Sequence, residues 1–474
     1  MKKYNLLQQD IDILFQSQKE LYSKIELLNH DYKVIQTVEG VLISDSYTND
    51  ATSDIRRTYS CTLHLENNSY FILKRLQLID KFIRPYIGIR YMRTGEILWY
   101  QIGTFVISNG SMTFNDISHE FSISCEDLTS TINGNLNGKI KDKKISIPSD
   151  EDLRTSIIGV LKDIGINKYY ICDINRKVPY DLDFSEGSYY DILKELVELY
   201  SGYEMYFDIN GMFCINEIPT CSSDNNLIDD DIIQPLLISD NGSFNFTDIY
   251  NHIIVYGMEI ETDRDITECV FDSLNNVYNA TNEKLTSYEN LTSYSIHIPD
   301  YSLDGTKINI NSLGAKSIVT DDNVLIKAND LKPGTYSFRY RKVSDDFLLL
   351  GQYQVKGEAW DNNPESPFNI NNLGYEICNV LQGNDYDKIY TDDLAKQRAE
   401  YEIYLSTNLN DNINLELINI PWLDVNCKVE YTSRNFNTTS SYIIKSISGS
   451  SSEATMNISM IKFYDDYSEI FQSK

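Results

Sequence analysis

Residues 58–65 alternate between apolar and polar side chains: Tyr59, Cys61, Leu63 and Leu65 fall on one face, Thr58, Ser60, Thr62 and His64 on the other. A period of two predicts a half-buried strand. "HEFSISCED" repeats it, with Phe121, Ile123 and Cys125 on one face and Glu120, Ser122 and Ser124 on the other. "GEILWYQIGTFVIS" supplies an apolar strand pair around Gly103. Such strands over 30–145, without a βαβ rhythm, predict a barrel or sandwich. Before them, Leu6, Leu7, Ile11, Leu14, Phe15, Leu21, Ile25 and Leu28 make an apolar stripe that predicts a helical arm over residues 1–29.

The period changes after 146. Ser149 with Asp152 suggests a capping box, followed by Leu153, Ile157, Val160, Leu161 and Ile164 at helical spacing and Gly165 as a stop. Ser188 with Asp191 opens a second helix whose apolar face is Ile192, Leu193, Leu196, Val197 and Tyr200. "EMYFDINGMFCINEI" then reads as a hairpin turning at Asn210-Gly211, both of which tolerate positive φ. Residues 146–222 are therefore a small α/β domain. Strands resume in "NHIIVYGMEIE". A segment rich in Asn, Ser, Thr and Tyr, 270–385, reads as an inserted β-sandwich-like domain, in which Pro333-Gly334 launches Tyr336, Phe338 and Tyr340 in alternation. Near 391 a helix begins with acidic residues in its first turn, and the chain ends in strands. The class is mainly β, α+β overall: two β-blocks (30–145; 235–269 with 386–474) flank the α/β domain.

A length of 474 residues suits about three domains. Tyrosine is in excess, 35 against 18 Phe, which suits pleated, half-wet surfaces and interfaces. The formal charge of -29 argues against a dedicated nucleic-acid binder, whose footprint is basic. Eight cysteines lie scattered without a C-x-x-C, and none of the five histidines pairs at ligand spacing, so no metal site is expected. The start, MKKYNLLQQDIDILF, lacks the apolar stretch of a signal peptide, and no apolar run reaches membrane-spanning length. No nucleophile elbow, P-loop, zincin or dinucleotide motif occurs, so neither an enzyme nor a cofactor is expected.

One feature stands out in so acidic a chain: the pair Arg56-Arg57 at the mouth of the 58–65 strand. It opens an ordered series: "TSDIRRTYSCTLHLENNS", "LIDKFIRPYIGIR", "WYQIGTFVI", "CEDLTSTINGNLNGKI", "VPYDLDF" and "EMYFDINGMFCINEIP", with "NHIIVYG" and "INIPWLDVNCKVEY" later. The series resembles phage tail proteins of the baseplate-hub or tail-tip type, found in bacteriophages and tail-like bacteriocins of Gram-positive hosts. The resemblance implies two tail-tube-like β-barrels per subunit and a homotrimer that adapts a sixfold tube to a threefold spike while lining the channel. It implies as partners the tail tube protein or distal tail ring, the spike or tip protein, the tape-measure C-terminus and other baseplate proteins. It also implies synthesis in the host cytoplasm and assembly into the tail. Arg56, Arg57, Trp99, Tyr100 and Trp422 are the candidate inter-subunit or inter-barrel contacts. An alternative is a receptor- or wall-glycan-binding tail protein acting through 270–385.

Overall fold

The computed structural model describes residues 6–66, 78, 81–115, 117–141, 144–179, 181–200, 202–219, 227–243, 249–259, 267–282, 284–351, 354–364, 366–408, 412–434 and 438–463. The chain divides into two compact units, one comprising Met1–Glu198, Gly202–Thr247 and Asn408–Glu469, the other Leu199–Ser201, Asp248–Thr407 and Ile470–Lys474.

In the first unit the strands of the N- and C-terminal β-blocks run into one 14-stranded sheet. Its main order is Leu237–Ser243, Asn412–Ile418, Thr455–Phe463, Thr439–Gly449, Leu42–Asp50, Arg57–His64, Glu120–Asp127, Phe105–Asn115, Phe82–Arg90, Leu21–Leu28 and Val34–Glu39. The blocks join where Thr439–Gly449 pairs antiparallel with Leu42–Asp50, Gly449 opposite Tyr47. A Cβ on Gly449 would lie 2.8 Å from the Tyr47 hydroxyl, so this seam closes only over a glycine. The predicted alternation sets the inner face: Tyr59, Cys61, Leu63, Phe121, Ile123 and Cys125 are all buried in the unit's core, together with Ile444, Ile458 and Met460 from the C-terminal block.

The N-terminal helix is shorter than its stripe predicted. Helix is confined to Gln8–Asp12 and a 3-10 turn Ile13–Phe15, and Leu21–Leu28 is a strand paired with Phe82–Arg90. Leu21, Ile25 and Leu28 fit a helical stripe, but Ile25 and Leu27 also fit a strand. The eight-residue antiparallel pairing decides between them, as tertiary context often does.

Within the same unit, both helices and the hairpin expected over 146–222 are present, with two local corrections. Helix Leu153–Asp163 is capped by Asp152 itself, whose carboxylate accepts the Thr155 N–H, while the Ser149 N–H donates to Asp181. Helix Tyr189–Glu198 does begin with the reciprocal box: Ser188 Oγ accepts the Asp191 N–H at 3.2 Å, and Asp191 accepts the Ser188 N–H at 2.7 Å. Strands Tyr203–Phe207 and Phe213–Glu217 form the hairpin. Its turn is not a two-residue one: Asp208 gathers the N–H groups of Asn210 and Met212, and of the pair Asn210-Gly211 only the glycine has positive φ.

In the second unit, Thr267–Asp272, Val277–Ala280, Lys307–Ile310, Lys316–Val319, Asp346–Gly351, Gly334–Arg341 and Ser293–Ile298 close into a seven-stranded barrel in that order. Tyr336, Phe338 and Tyr340 fill its core, as their alternation predicted. Strand His252–Glu259, grouped by sequence with the C-terminal block, pairs instead with Gln354–Trp360 and Cys378–Leu381 in a separate three-stranded sheet. Alternation identifies a strand's faces, not its neighbours. Helix Asp392–Asn408 packs on that sheet at Gly357, where a Cβ would lie 2.1 Å from the Ala395 backbone. No helix among the described residues is long and apolar enough to cross a membrane.

Candidate functional site

Both arginines of the opening pair are buried, Arg56 at 4% exposure and Arg57 at 3%. Burial of a guanidinium demands a partner for its charge, and each finds a carboxylate within its own chain, while the Nε of each has no hydrogen-bond partner among the described residues. Arg56 pairs with Glu204 and lies 3.8 Å over the Tyr206 ring. Glu204 also accepts from Asn426 Nδ2, at 2.9 Å to each oxygen. Arg57 Nη2 donates to both carboxylate oxygens of Asp424 at 2.9 Å, and Nη1 donates to the Phe207 carbonyl at 2.6 Å. Its backbone N–H donates to Asp127, which also accepts the Thr129 N–H and so caps a 3-10 turn.

The pair therefore ties three stretches distant in sequence. These are the Arg57–His64 strand, the Tyr203–Phe207 hairpin strand and the 424–426 loop of the C-terminal block. Burial alone would lower the Arg57 pKa, but Asp424 and Asp127 reverse this and raise it. Asp127 is pushed up by burial, against the pull of its Thr129 and Arg57 hydrogen bonds. Lys445 is lowered by burial, with Glu204 opposing.

Arg57, Trp99, Tyr100 and Trp422 line one cavity of about 270 Å³, floored by Tyr47 and Asn49. Strand Ile97–Gln101 delivers Trp99 and Tyr100 opposite Gly88 and Ile87. The short N-terminal helix bonds to two of the lining residues: the Tyr100 hydroxyl donates to Asp10 Oδ1 at 2.6 Å, and Trp422 Nε1 to the Asp10 carbonyl at 3.3 Å. Four of the five residues singled out by sequence thus meet at one wall, and Arg56 stands beside it in the Glu204 cluster. The partners Glu204, Asp424 and Asn426 were not picked out from sequence. The available signal was an acid inside an otherwise aromatic strand, "EMYF", and the polar residues just after Trp422 in "PWLDVNC".

Three adjoining rows on the opposite face of the same sheet are polar. Register places Ser239, Glu416, Asn457, Ser448, Thr48, Thr58 and Glu126 in one row across seven strands. Beside it run Asn241, Asn414, Ser459, Ser446 and Asp50, and the row Ser46, Ser60 and Ser124. Hydroxyls pair across strands, Thr48 with Thr58 at 2.6 Å, Ser46 with Ser60 and Thr62 with Ser122 at 2.9 Å. These rows contain hydroxyls, amides and carboxylates, and no lysine or arginine.

In the second unit, register brings together residues that spacing alone could not. His252 lies opposite Cys378, and Glu376 meets the His252 ring; their ligand atoms all fall within 4.8 Å of one another.

A family model described as "Domain of unknown function (DUF5048)" matches residues 365–467. No curated protein matches the chain. Among solved structures, the 43 kDa tail protein of prophage MuSo2 from Shewanella oneidensis is similar at 11% identity and a TM-score of 0.49, over 94% of this chain and 99% of its own. A tail protein from Neisseria meningitidis MC58 aligns at 7% identity and 0.49, over 93% and 96%. Prophage tail protein gp18 from Listeria monocytogenes EGD-e aligns at 9% and 0.43, over 94% and 97%.

Proposed function

We propose that the chain is a structural tail protein, the baseplate or tail-tip hub, which assembles as a homotrimer and lines the channel. The observation that carries this reading is a set of three adjoining rows on one sheet face, built of hydroxyls, amides and carboxylates and holding no lysine or arginine. DNA adheres to proteins chiefly through lysine and arginine contacts to phosphate. A channel wall must do the reverse, staying wet and giving the polyanion nothing to grip. Fusion of the two β-blocks into one sheet supports the same reading, because a subunit that supplies two adjacent blocks lets three copies present six. The ordered motifs around Arg56-Arg57 support it independently. The partners are then the tail tube or distal ring above, the spike or tip below, the tape-measure C-terminus and other baseplate proteins. No catalysis is part of this reading.

A second reading concerns the seven-stranded barrel, which supplies recognition of a host receptor or wall glycan. It is favoured by Tyr301, Leu303 and Leu325, all exposed on adjoining loops. Binding of purified protein to host cell walls, lost in Tyr301→Ala, supports that role; no binding removes it.

Light scattering behind size exclusion tests the hub. The expected mass is three times the chain's 54.7 kDa, alone or with tube and spike partners. A monomer under all these conditions overturns the proposal.

A further inference from the structure

We propose that His252, Glu376 and Cys378 form a binding site for a borderline-soft divalent cation of the zinc type. Imidazole, carboxylate and thiolate are the zinc donor set, and three protein ligands leave one position for water or an incoming group. The ligands come from the start of one strand, His252–Glu259, and from the start of its parallel neighbour, Cys378–Leu381. Parallel register sets His252 against Cys378, and all three ligand atoms lie within 4.8 Å of one another.

The surroundings hold this geometry in place. Asn251 is fully buried; its amide donates to the carbonyls of Phe368 and Tyr375 at 3.0 Å and accepts the Ile377 N–H at 2.7 Å. That fixes the segment bearing Glu376 and Cys378 to the residue before His252. The imidazole stacks on Trp360, centroids 4.6 Å apart and planes 11° from parallel, which sets the ring's orientation. His252 is itself buried, 7% exposed, yet Nε2 has no hydrogen-bond partner among the described residues.

Glu376 and Cys378 are exposed, so an ion has an open approach from solvent. Cys378 is the exposed free thiol among the described cysteines. On binding, Cys378 enters as thiolate and its proton passes to solvent. The inference does not depend on the tail reading.

Titration of the purified full-length chain with Co²⁺, followed by Zn²⁺, tests the site. The expected result is one Co²⁺ per chain with a thiolate-to-cobalt charge-transfer band, bleached by Zn²⁺. Cys378→Ser abolishes the band while the circular dichroism spectrum is unchanged, and Cys172→Ser retains it. Glu376→Gln weakens binding by about tenfold or more, as loss of even an outer-shell partner does. Absence of the band in the native chain, or its survival in Cys378→Ser, overturns the assignment.

Discussion

Truncating Arg57 to alanine leaves the Asp424 carboxylate and the Phe207 carbonyl without their common partner. Breaking a buried pair from one side costs about 3–5 kcal/mol, and the lower end applies here because the Asp424 side chain is 35% exposed. Denaturant unfolding of Arg57→Ala should therefore show a loss of about 3 kcal/mol in the first unit. Arg57→Lys should recover only part of it, since an ammonium cannot bridge two carboxylate oxygens in a fork. The pair was visible in the sequence as an anomaly of charge. Its partners were not, because Glu204 and Asp424 lie 148 and 367 residues away from Arg56 and Arg57. A second residue-scale test concerns pH. Asp392 is held at about 6 by burial, with Asp393 adding to the rise and the Lys356 N–H opposing it. Its folded pKa lies above the ordinary carboxylate value, so the folded state binds the proton more tightly. The penalty is full above about pH 6 and fades as pH falls toward 4. Asp392→Asn keeps an oxygen for the Lys356 N–H, so it should raise the melting temperature at pH 7.5 and leave it nearly unchanged at pH 4.

At the scale of elements, strict alternation was the most legible signal. Residues 58–64 and 120–127 became strands with the faces their periods assigned, and Ser188 with Asp191 became a capping box. Residues 21–28 were misassigned because Leu21, Ile25 and Leu28 satisfy a helical stripe and the neighbour that decides the matter, Phe82–Arg90, lies far along the chain. Pairing of His252–Glu259 was illegible for the same reason. One close approach had no signal beyond the glycine itself: Gly357 lets Asp392–Asn408 sit directly on its sheet. Gly357→Ala should destabilise the second unit by about 1–3 kcal/mol through overpacking, read as a lowered melting transition.

For the whole molecule, the sequence made the mainly β class legible. The union of the blocks in a single sheet was not, because cross-block register leaves no local mark. The three cation-free rows follow from that register, and their role can be tested by adding charge. Ser60→Arg with Ser448→Arg, both on the polar face, should leave the fold intact and create salt-sensitive retention of duplex DNA, where the native chain shows none. Gel shift at low and moderate salt reads the difference. The central claim, that this chain is a hub within a tail, is tested most directly by locating it. Tails purified from the source that encodes it, labelled with antibody raised against the chain and imaged by electron microscopy, should carry the label at the tip distal to the tail tube. Purified tails that contain none of this chain, or carry it only along the shaft, would contradict the account.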